Sequence, residues 1–178
     1  MRTLIAGRKL QALLNVVRKC RKVPGIGVEL GVYQGGSLKA MAQADSTRNY
    51  FGFDTFEGLP EQSWDESEVH VPGEFSDTHF DAVKKRLPRN VQLKQGIFPL
   101  SASDLDLSEI AVAHVDFDFY ESTRAAIEWL LPRMSSGGAI VFDDYEWRNC
   151  PGVKRAIDEA GLKVDTRHKH QAIYWVRK

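Results

Sequence analysis

One stretch, residues 110–145, constrains the fold of this chain most strongly. Apolar residues at 111–115 and 139–142 predict two strands, and the segment between them carries apolar side chains at helical spacing up to Pro132. A glycine pair at 137–138 predicts the turn that returns the chain to the second strand. Strand, helix and strand in this order form a βαβ unit, so the two strands should be parallel.

Acidic residues follow both strands of this unit. Asp116 and Asp118 come after the first strand, and Asp143 and Asp144 come after the second. Because neighbouring parallel strands lie about 4.8 Å apart and end at the same edge of the sheet, the four carboxylates should converge on one small volume. Their mutual repulsion must be offset by protons or by a cation, and a hard divalent ion with oxygen ligands is the simplest solution. The sequence therefore predicts a divalent-metal site at this edge.

Composition indicates an ordinary globular protein. With 178 residues, of which 43% are hydrophobic and 27% charged, the chain can bury a real core, and we expect residues 1–178 to form a single domain. The 24 basic and 24 acidic residues cancel, which gives no support to a nucleic-acid partner. No apolar run approaches membrane-spanning length, so no membrane partner is expected. Two cysteines without zinc spacing favour free thiols in a reducing cytoplasm.

The N-terminal region is strongly basic, with seven basic residues and no acidic one in residues 1–28. An organellar leader would have such a charge. However, apolar residues at helical spacing lead directly into the first strand, and they are Leu10, Leu13, Leu14 and Val17. We therefore interpret residues 1–22 as a helix that packs on the domain.

Strands and helices alternate along the chain with short connections. Seven strands are expected, at residues 26–30, 50–53, 91–94, 111–115, 139–142, 162–164 and 171–176. We predict an α/β fold with a Rossmann-like, doubly wound, mostly parallel seven-stranded sheet, its last strand antiparallel, and helices on both faces. Such sheets bind ligands at the carboxyl ends of their strands. Residues 55–75 hold six acidic side chains and form a long loop that we expect to be mobile.

A glycine turn follows the first predicted strand. Its pattern is Glu29-x-Gly31-x-x-x-Gly35-Gly36, and Asp54 ends the next strand 23 positions after Gly31. Glycines let a backbone approach a ligand closely, and an acidic residue at that distance can accept hydrogen bonds from ribose hydroxyls. The spacing differs from GxGxxG, which argues against a dinucleotide, and the P-loop pattern is absent. Such a glycine turn and an aspartate cap can also be purely structural.

Four segments carry a resemblance to a known family: VELGVYQGGS, YFGFDTFEGLP, HVDFDFYEST and GGAIVFDDY. They resemble the motifs of class I S-adenosylmethionine-dependent methyltransferases. More closely, they resemble the macrocin O-methyltransferase family, which methylates sugar hydroxyls in macrolide and aminocoumarin antibiotics. The similarity covers roughly residues 26–160.

The resemblance implies a Mg²⁺-dependent O-methyltransferase that uses S-adenosylmethionine and acts on a sugar or a glycosylated small molecule. It implies metal ligands at Asp116, Asp143 and Asp144 and a general base at Asp118. The cofactor-binding residues that it implies are Glu29, Gly31, Gly35, Ser37, Asp54, Gly96, Ile97 and Phe98.

The chain departs from that family in two places. About 25 residues precede the first strand, whereas family members usually carry a longer N-terminal region that covers the substrate and helps to build a dimer. Phe117 stands where some members have glycine, which changes the shape expected for the acceptor pocket. A homodimer that completes the pocket is an expectation for this chain too.

Three alternative functions stay open. A catechol-type enzyme would chelate the ion through two adjacent phenolic oxygens. A DxD glycosyltransferase would use Asp116 and Asp118 on the metal of a nucleotide sugar, whereas a haloacid-dehalogenase-type phosphatase needs its DxD on the first strand. A binder of S-adenosylmethionine or sugar without catalysis is the third.

Other candidate residues have structural explanations. His114 lies inside a strand and is interpreted as a core histidine. Trp64 and Trp147 could stack on a sugar or a base, or pack on the surface. The basic cluster at residues 167–170 is interpreted as a solvated hairpin turn.

Overall fold

Six strands form one sheet in the computed structural model, which describes residues 3–5 and 7–177. The strands are β1 (Ile26–Leu30), β2 (Tyr50–Asp54), β3 (Val91–Gln95), β4 (Ile110–Val115), β5 (Met134–Asp143) and β6 (Gln171–Trp175). Their order is β3-β2-β1-β4-β5-β6, and β6 alone is antiparallel to its neighbour. The predicted α/β sheet, mostly parallel with an antiparallel last strand, is confirmed.

Two details of the predicted sheet were wrong. Residues 162–164 do not form a seventh strand, because Asp165 makes only an isolated antiparallel bridge with Ile173. The glycine pair at 137–138 lies inside β5 rather than in a turn before it. A Cβ on Gly138 would lie 2.6 Å from the carbonyl oxygen of Ala111, so glycine lets an irregular stretch of β5 pass close to β4.

Helices cover both faces of the sheet. They are α1 (Arg8–Lys19), α2 (Gly36–Ala44), α3 (Phe80–Lys84), α4 (Tyr120–Leu130) and α5 (Pro151–Glu159). The first two bury Leu13, Val17 and Met41 in one hydrophobic cluster, and α4 and α5 bury Leu130 and Ile157 in another. Parallel strands covered on both faces are apolar throughout, and every residue of β4 is buried.

The N-terminal helix and the acidic loop are present. The helix predicted for residues 1–22 is observed as α1 followed by a 3-10 turn at Cys20–Lys22, while residues 1, 2 and 6 lie outside the described residues. Residues 55–75 contain one short 3-10 helix, Glu61–Ser63, and their mobility stays a prediction. None of the described helices is long and apolar enough to cross a membrane.

Candidate active site

A cavity of about 550 Å³ lies over the carboxyl ends of the central strands, at the point where the strand order reverses between β1 and β4. Its volume is within the range of roughly 300–1,000 Å³ that is usual for ligand pockets. The predicted site residues that line it are Gly31, Ser37, Asp54, Gly96, Ile97, Phe98, Asp116, Asp118, Asp143 and Asp144. The glycine turn and the acidic turns therefore face one volume.

Two of the predicted cofactor residues, Glu29 and Gly35, are not among the residues that line the cavity. The Glu29 side chain is fully buried in β1, and its Oε1 lies 2.9 Å from Nδ1 of the fully buried His114. Gly35 has a positive φ of 76° and donates its N–H to the carbonyl of Val32, which forms the entrance to α2. Both residues thus support the turn after β1 without lining the cavity. The burial of His114 agrees with its interpretation as a core histidine.

Gly31 brings the two halves of the cavity together. Its φ is +87°, and a Cβ built on it would lie 1.9 Å from the backbone oxygen of Asp116. The Asp116 N–H in turn donates to the carbonyl of Leu30, the last residue of β1, at 2.8 Å. Only glycine permits this approach, so the turn after β1 lies directly against the turn after β4.

Asp54 holds the turns that follow β1 and β2. Its Oδ2 accepts the backbone N–H groups of Val32 and Tyr33, each at 2.7 Å, and its Oδ1 accepts the N–H of Phe56 at 2.7 Å. A carboxylate offers about four acceptor positions. Three are occupied by the protein, which leaves one for a ligand hydroxyl.

An aromatic wall lies beside this turn. The ring of Phe98 packs 5.8 Å from that of Phe117, 5.4 Å from Phe53 and 5.1 Å from Trp129, measured between centroids. Gly96 donates its N–H to the carbonyl of Asp54 at 2.9 Å, which fixes this wall next to the carboxylate. An apolar aromatic wall beside one open carboxylate position can hold a nucleoside.

Three of the four carboxylates that were expected to converge after β4 and β5 lie together. One carboxylate oxygen from each of Asp116, Asp118 and Asp144 lies within 4.8 Å of the others. Asp118 and Asp144 also have positive φ values, 62° and 56°, which L-residues adopt rarely and often at functional sites. The resemblance implied that Asp143 is the third metal ligand, whereas this group of three contains Asp118 instead.

The carboxylates are short of positive charge. Burial, and then the neighbouring Asp143, raises the pKa of Asp116 well above its usual value. Burial and the neighbouring Asp144 raise the pKa of Asp118 to about 7, and the same two causes raise that of Asp143. Oδ1 of Asp143 is buried without a hydrogen-bond partner among the described residues. An all-oxygen group with an unpaired buried acceptor fits a hard divalent cation such as Mg²⁺.

Lys9, in the first turn of α1, is a site residue that sequence reasoning missed. Its Nζ lies 2.8 Å from Oδ2 of Asp143 and 2.9 Å from Oδ1 of Asp144. Burial alone would lower the pKa of this lysine, but the two carboxylates outweigh burial and raise it. Lys9 is 135 positions away from Asp144. The one signal in the sequence was the excess of basic residues without acidic partners in this region.

Aromatic and thiol groups lie near the acidic turns after β4 and β5. Trp147 lines the cavity and packs edge-on against His170, with 4.6 Å between ring centroids, whereas Trp64 is not among the lining residues. The interpretation of residues 167–170 as a solvated turn agrees with Arg167, whose side chain is 81% exposed, but not with His170. Cys150 is buried, and its Sγ donates to Oδ1 of Asp118 at 3.3 Å.

Proteins of known activity are similar to this chain. The family described as Macrocin-O-methyltransferase (TylF) matches residues 1–176. The 8-demethyl-8-(2,3-dimethoxy-alpha-L-rhamnosyl)-tetracenomycin-C 4'-O-methyltransferase of Streptomyces olivaceus is 33% identical over 174 residues, which cover 82% of this chain and 67% of that protein. The demethyldecarbamoylnovobiocin O-methyltransferase of Streptomyces niveus is 27% identical over 199 residues, covering 98% and 75% respectively.

Solved structures share the fold. The O-methyltransferase NovP superposes with a TM-score of 0.86 at 24% identity, over 99% of this chain and 82% of that one. A calicheamicin methyltransferase superposes with a TM-score of 0.80 at 22% identity, over 93% and 77%. Because the family match spans nearly the whole sequence, the chain belongs to the macrocin O-methyltransferase family and is an S-adenosylmethionine-dependent O-methyltransferase.

Proposed function

We propose that this enzyme requires Mg²⁺ and methylates a hydroxyl group of a sugar or of a glycosylated small molecule. One observation carries the proposal: a group of half-buried carboxylates short of positive charge faces the glycine turn and Asp54 across a single cavity. The names of the relatives agree with it, since one is a 4'-O-methyltransferase of a rhamnosyl tetracenomycin and another is a mycinamicin III 3''-O-methyltransferase.

The cofactor half of the site lies at the ends of β1 and β2. We assign Gly31 and Ser37 to the methionine portion of S-adenosylmethionine, Asp54 to its ribose, and residues 96–98 to its adenine. Ser37 is buried in the first turn of α2 and lines the cavity, and the remaining acceptor position of Asp54 suits a ribose hydroxyl. Glu29 and Gly35 support this half indirectly, through the buried pair with His114 and the entrance to α2.

The acceptor half lies at the ends of β4 and β5. We assign Asp116, Asp143 and Asp144 as the ligands of the divalent ion and Asp118 as the general base. Asp118 lines the cavity, and its pKa of about 7 is close to the value that lets a base accept a proton at neutral pH. Trp147 and His170 pack edge to face and both line the cavity, so an aromatic ring from this pair could pack on the apolar face of a sugar.

The chemistry needs an oxygen nucleophile held in line with a methyl group, and positioning supplies much of the rate. When bound, S-adenosylmethionine supplies an electrophilic methyl group on a sulfonium, and the divalent ion lowers the pKa of a nearby hydroxyl. Asp118 would take the hydroxyl proton while the oxygen lone pair forms the new bond to the methyl carbon; the methyl–sulfur bond would break, with its electron pair left on sulfur in S-adenosylhomocysteine. Gly31 and Asp116 fix the separation of the two halves, because their backbones are in contact.

The alternatives differ in their support. Membership in an O-methyltransferase family leaves the glycosyltransferase, the phosphatase and the non-catalytic binder without support. A catechol-type acceptor stays as a second candidate within the same chemistry, because the cavity also has apolar walls at Phe98 and Phe117. The single-domain organisation and the homodimer are further parts of the proposal, and light scattering of the purified protein tests the dimer.

Two isosteric variants test the division of the site. Asp143→Asn should reduce Mg²⁺-dependent turnover by more than about 100-fold while the Kd for S-adenosylmethionine changes less than about threefold. Asp54→Asn should weaken S-adenosylmethionine at least about tenfold, because the amide replaces one acceptor oxygen with a donor that faces backbone N–H groups. Calorimetry with S-adenosylmethionine and S-adenosylhomocysteine measures binding, and methyl transfer to TDP-rhamnose and to catechol measures turnover.

Several results would contradict the proposal. Full activity in the presence of EDTA would remove the metal from the mechanism, and full activity of Asp143→Asn would remove this ligand. Turnover of catechol in preference to sugar acceptors would favour the catechol-type alternative. Circular dichroism of both variants serves as the control for folding.

A further inference from the structure

A second group of possible metal ligands lies next to the oxygen-only carboxylates, and its donor atoms are of a different kind. It consists of His70 from the acidic loop, Asp118 from the turn after β4, and Cys150 from the turn before α5. One ligand atom from each of these three side chains lies within 4.8 Å of the other two. Nitrogen, oxygen and sulfur together favour zinc and similar transition metals, whereas Mg²⁺ prefers oxygen alone.

The separations are close to those of a tetrahedral site. Bond lengths to zinc of roughly 2.0–2.3 Å place neighbouring ligand atoms about 3.3–3.5 Å apart. Sγ of Cys150 already lies 3.3 Å from Oδ1 of Asp118. The remaining separations, all within 4.8 Å, need to shorten by no more than about 1.5 Å to reach these values.

The orientation of His70 is also that of a metal ligand. Its Nδ1 pairs with the carboxylate of Glu74, and its ring packs on Phe75 with 5.5 Å between centroids. A carboxylate on one ring nitrogen is the usual outer partner of a zinc-bound histidine, because it fixes the tautomer and the ring direction. Nε2 is then the nitrogen available to an ion, and the His70 side chain is only 20% exposed.

We propose that His70, Asp118 and Cys150 bind one zinc-class divalent ion, with Glu74 as the partner of the histidine. Three protein ligands leave a fourth position for water or for an acceptor oxygen, and His70 and Asp118 both line the cavity. As the metal–sulfur bond forms, the Cys150 thiol releases its proton to solvent. The site shares Asp118 with the acceptor half, so the ion would occupy the carboxylate assigned as general base. A zinc ion bound there should therefore inhibit methyl transfer. This expected inhibition rests on the proposed function.

Cobalt replaces zinc as a spectroscopic probe of the site. We expect Co²⁺ added to the metal-free protein to give a thiolate-to-cobalt charge-transfer band and the intense visible bands of four-coordinate cobalt, at one equivalent. Cys150→Ser should abolish the charge-transfer band and weaken Zn²⁺ binding at least about tenfold, while Glu74→Gln should weaken it about 10–100-fold, as loss of an outer partner does. Cys20→Ser is the matched control, because Cys20 is a buried free thiol outside this group and its loss should change neither quantity.

The outcomes separate this proposal from the proposed function. Absence of a thiolate band in the wild type, or a band that survives in Cys150→Ser, would overturn the site whether or not the protein methylates a sugar. A charge-transfer band that depends on Cys150, together with a Zn²⁺ affinity that depends on Cys150 and Glu74, would establish it even if no acceptor is found. In active protein, Zn²⁺ should inhibit methyl transfer in the presence of excess Mg²⁺, and Cys150→Ser should relieve that inhibition. Thermal unfolding of each variant shows that a lost band does not reflect a lost fold.

Discussion

The two halves of the cavity are built in different ways. At the ends of β1 and β2, the Asp54 carboxylate accepts hydrogen bonds from three backbone N–H groups, and the positive φ of Gly31 shapes the turn. At the ends of β4 and β5, the carboxylates have raised pKa values, and Asp143 keeps a buried oxygen without a partner among the described residues. The Asp54 carboxylate is therefore largely satisfied by the polypeptide itself, whereas the carboxylates after β4 and β5 keep an excess of negative charge that a cation would offset.

This difference shows how each half reaches its working form. Backbone hydrogen bonds form with the fold, so the cofactor half is organised before any ligand arrives. In the acceptor half, the ammonium group of Lys9 is the one cation among the described residues that forms salt bridges with the carboxylates. The electrostatic state of this half therefore depends on which cation is present.

The largest expected effect comes from forcing the two halves of the cavity apart. Gly31→Ala places a Cβ against the Asp116 carbonyl and should destabilise the protein by more than about 3 kcal/mol, with loss of both S-adenosylmethionine and Mg²⁺ binding. Gly73→Ala is the matched control, since its φ of +84° is similar but no atom lies within 4 Å of the added Cβ. It should lose only about 1–2 kcal/mol. Chemical denaturation and calorimetry measure these effects, and a Gly31→Ala protein that keeps either binding activity would contradict the coupling.

A smaller effect is expected when the internal cation is removed. Lys9→Met deletes the ammonium group beside Asp143 and Asp144, so Mg²⁺ should bind on the order of tenfold more tightly, while the metal-free protein should lose about 1–3 kcal/mol of stability. Arg8→Met, at the exposed neighbouring position of α1, should change neither quantity. Titration calorimetry with Mg²⁺ and unfolding in EDTA provide the measurements. An unchanged Mg²⁺ affinity would show that Lys9 does not compete with the ion.

The smallest effect, taken per pH unit, is a dependence of stability on pH that belongs to the acceptor half. The pKa of Asp118 is about 7 in the folded protein and about 3.9 in an unfolded chain. Between these values the folded state binds more protons, so stability falls as the pH rises from about 4 to about 7. Asp118→Asn should reduce this slope by up to about 1.4 kcal/mol per pH unit in metal-free protein. Urea unfolding at pH 5, 6, 7 and 8 tests it, and equal slopes in the two proteins would contradict it.

The parallel sheet was predictable because each central strand is an apolar run that ends in glycine or aspartate. The strand predicted at residues 162–164 was wrong, because the apolar pattern of such a short segment resembles that of a strand even where it forms no ladder of hydrogen bonds with a neighbouring strand. The turn predicted at residues 137–138 was wrong as well, because glycine serves a close strand contact as readily as a turn.

The sequence predicted which backbone positions meet at the site, but it did not predict the directions of their side chains. Strand ends place carboxylates at one edge, but the directions of the side chains decide that Asp118 joins Asp116 and Asp144 while Asp143 turns to Lys9. The contribution of Lys9 depends on how α1 docks across the sheet, which local spacing does not encode. The position of His70 beside Asp118 likewise depends on the path of the acidic loop.

The contact of Gly31 with Asp116 has a consequence for how acceptors can change. These residues follow the last paired positions of β1 and β4, Leu30 and Val115, so the distance between the glycine turn and the carboxylates is set by the pairing of two strands. Loops that line the cavity, such as those carrying His70 and Trp147, lie outside this pairing. Acceptor preference can therefore diverge by loop replacement while the alignment needed for methyl transfer is inherited unchanged with the sheet.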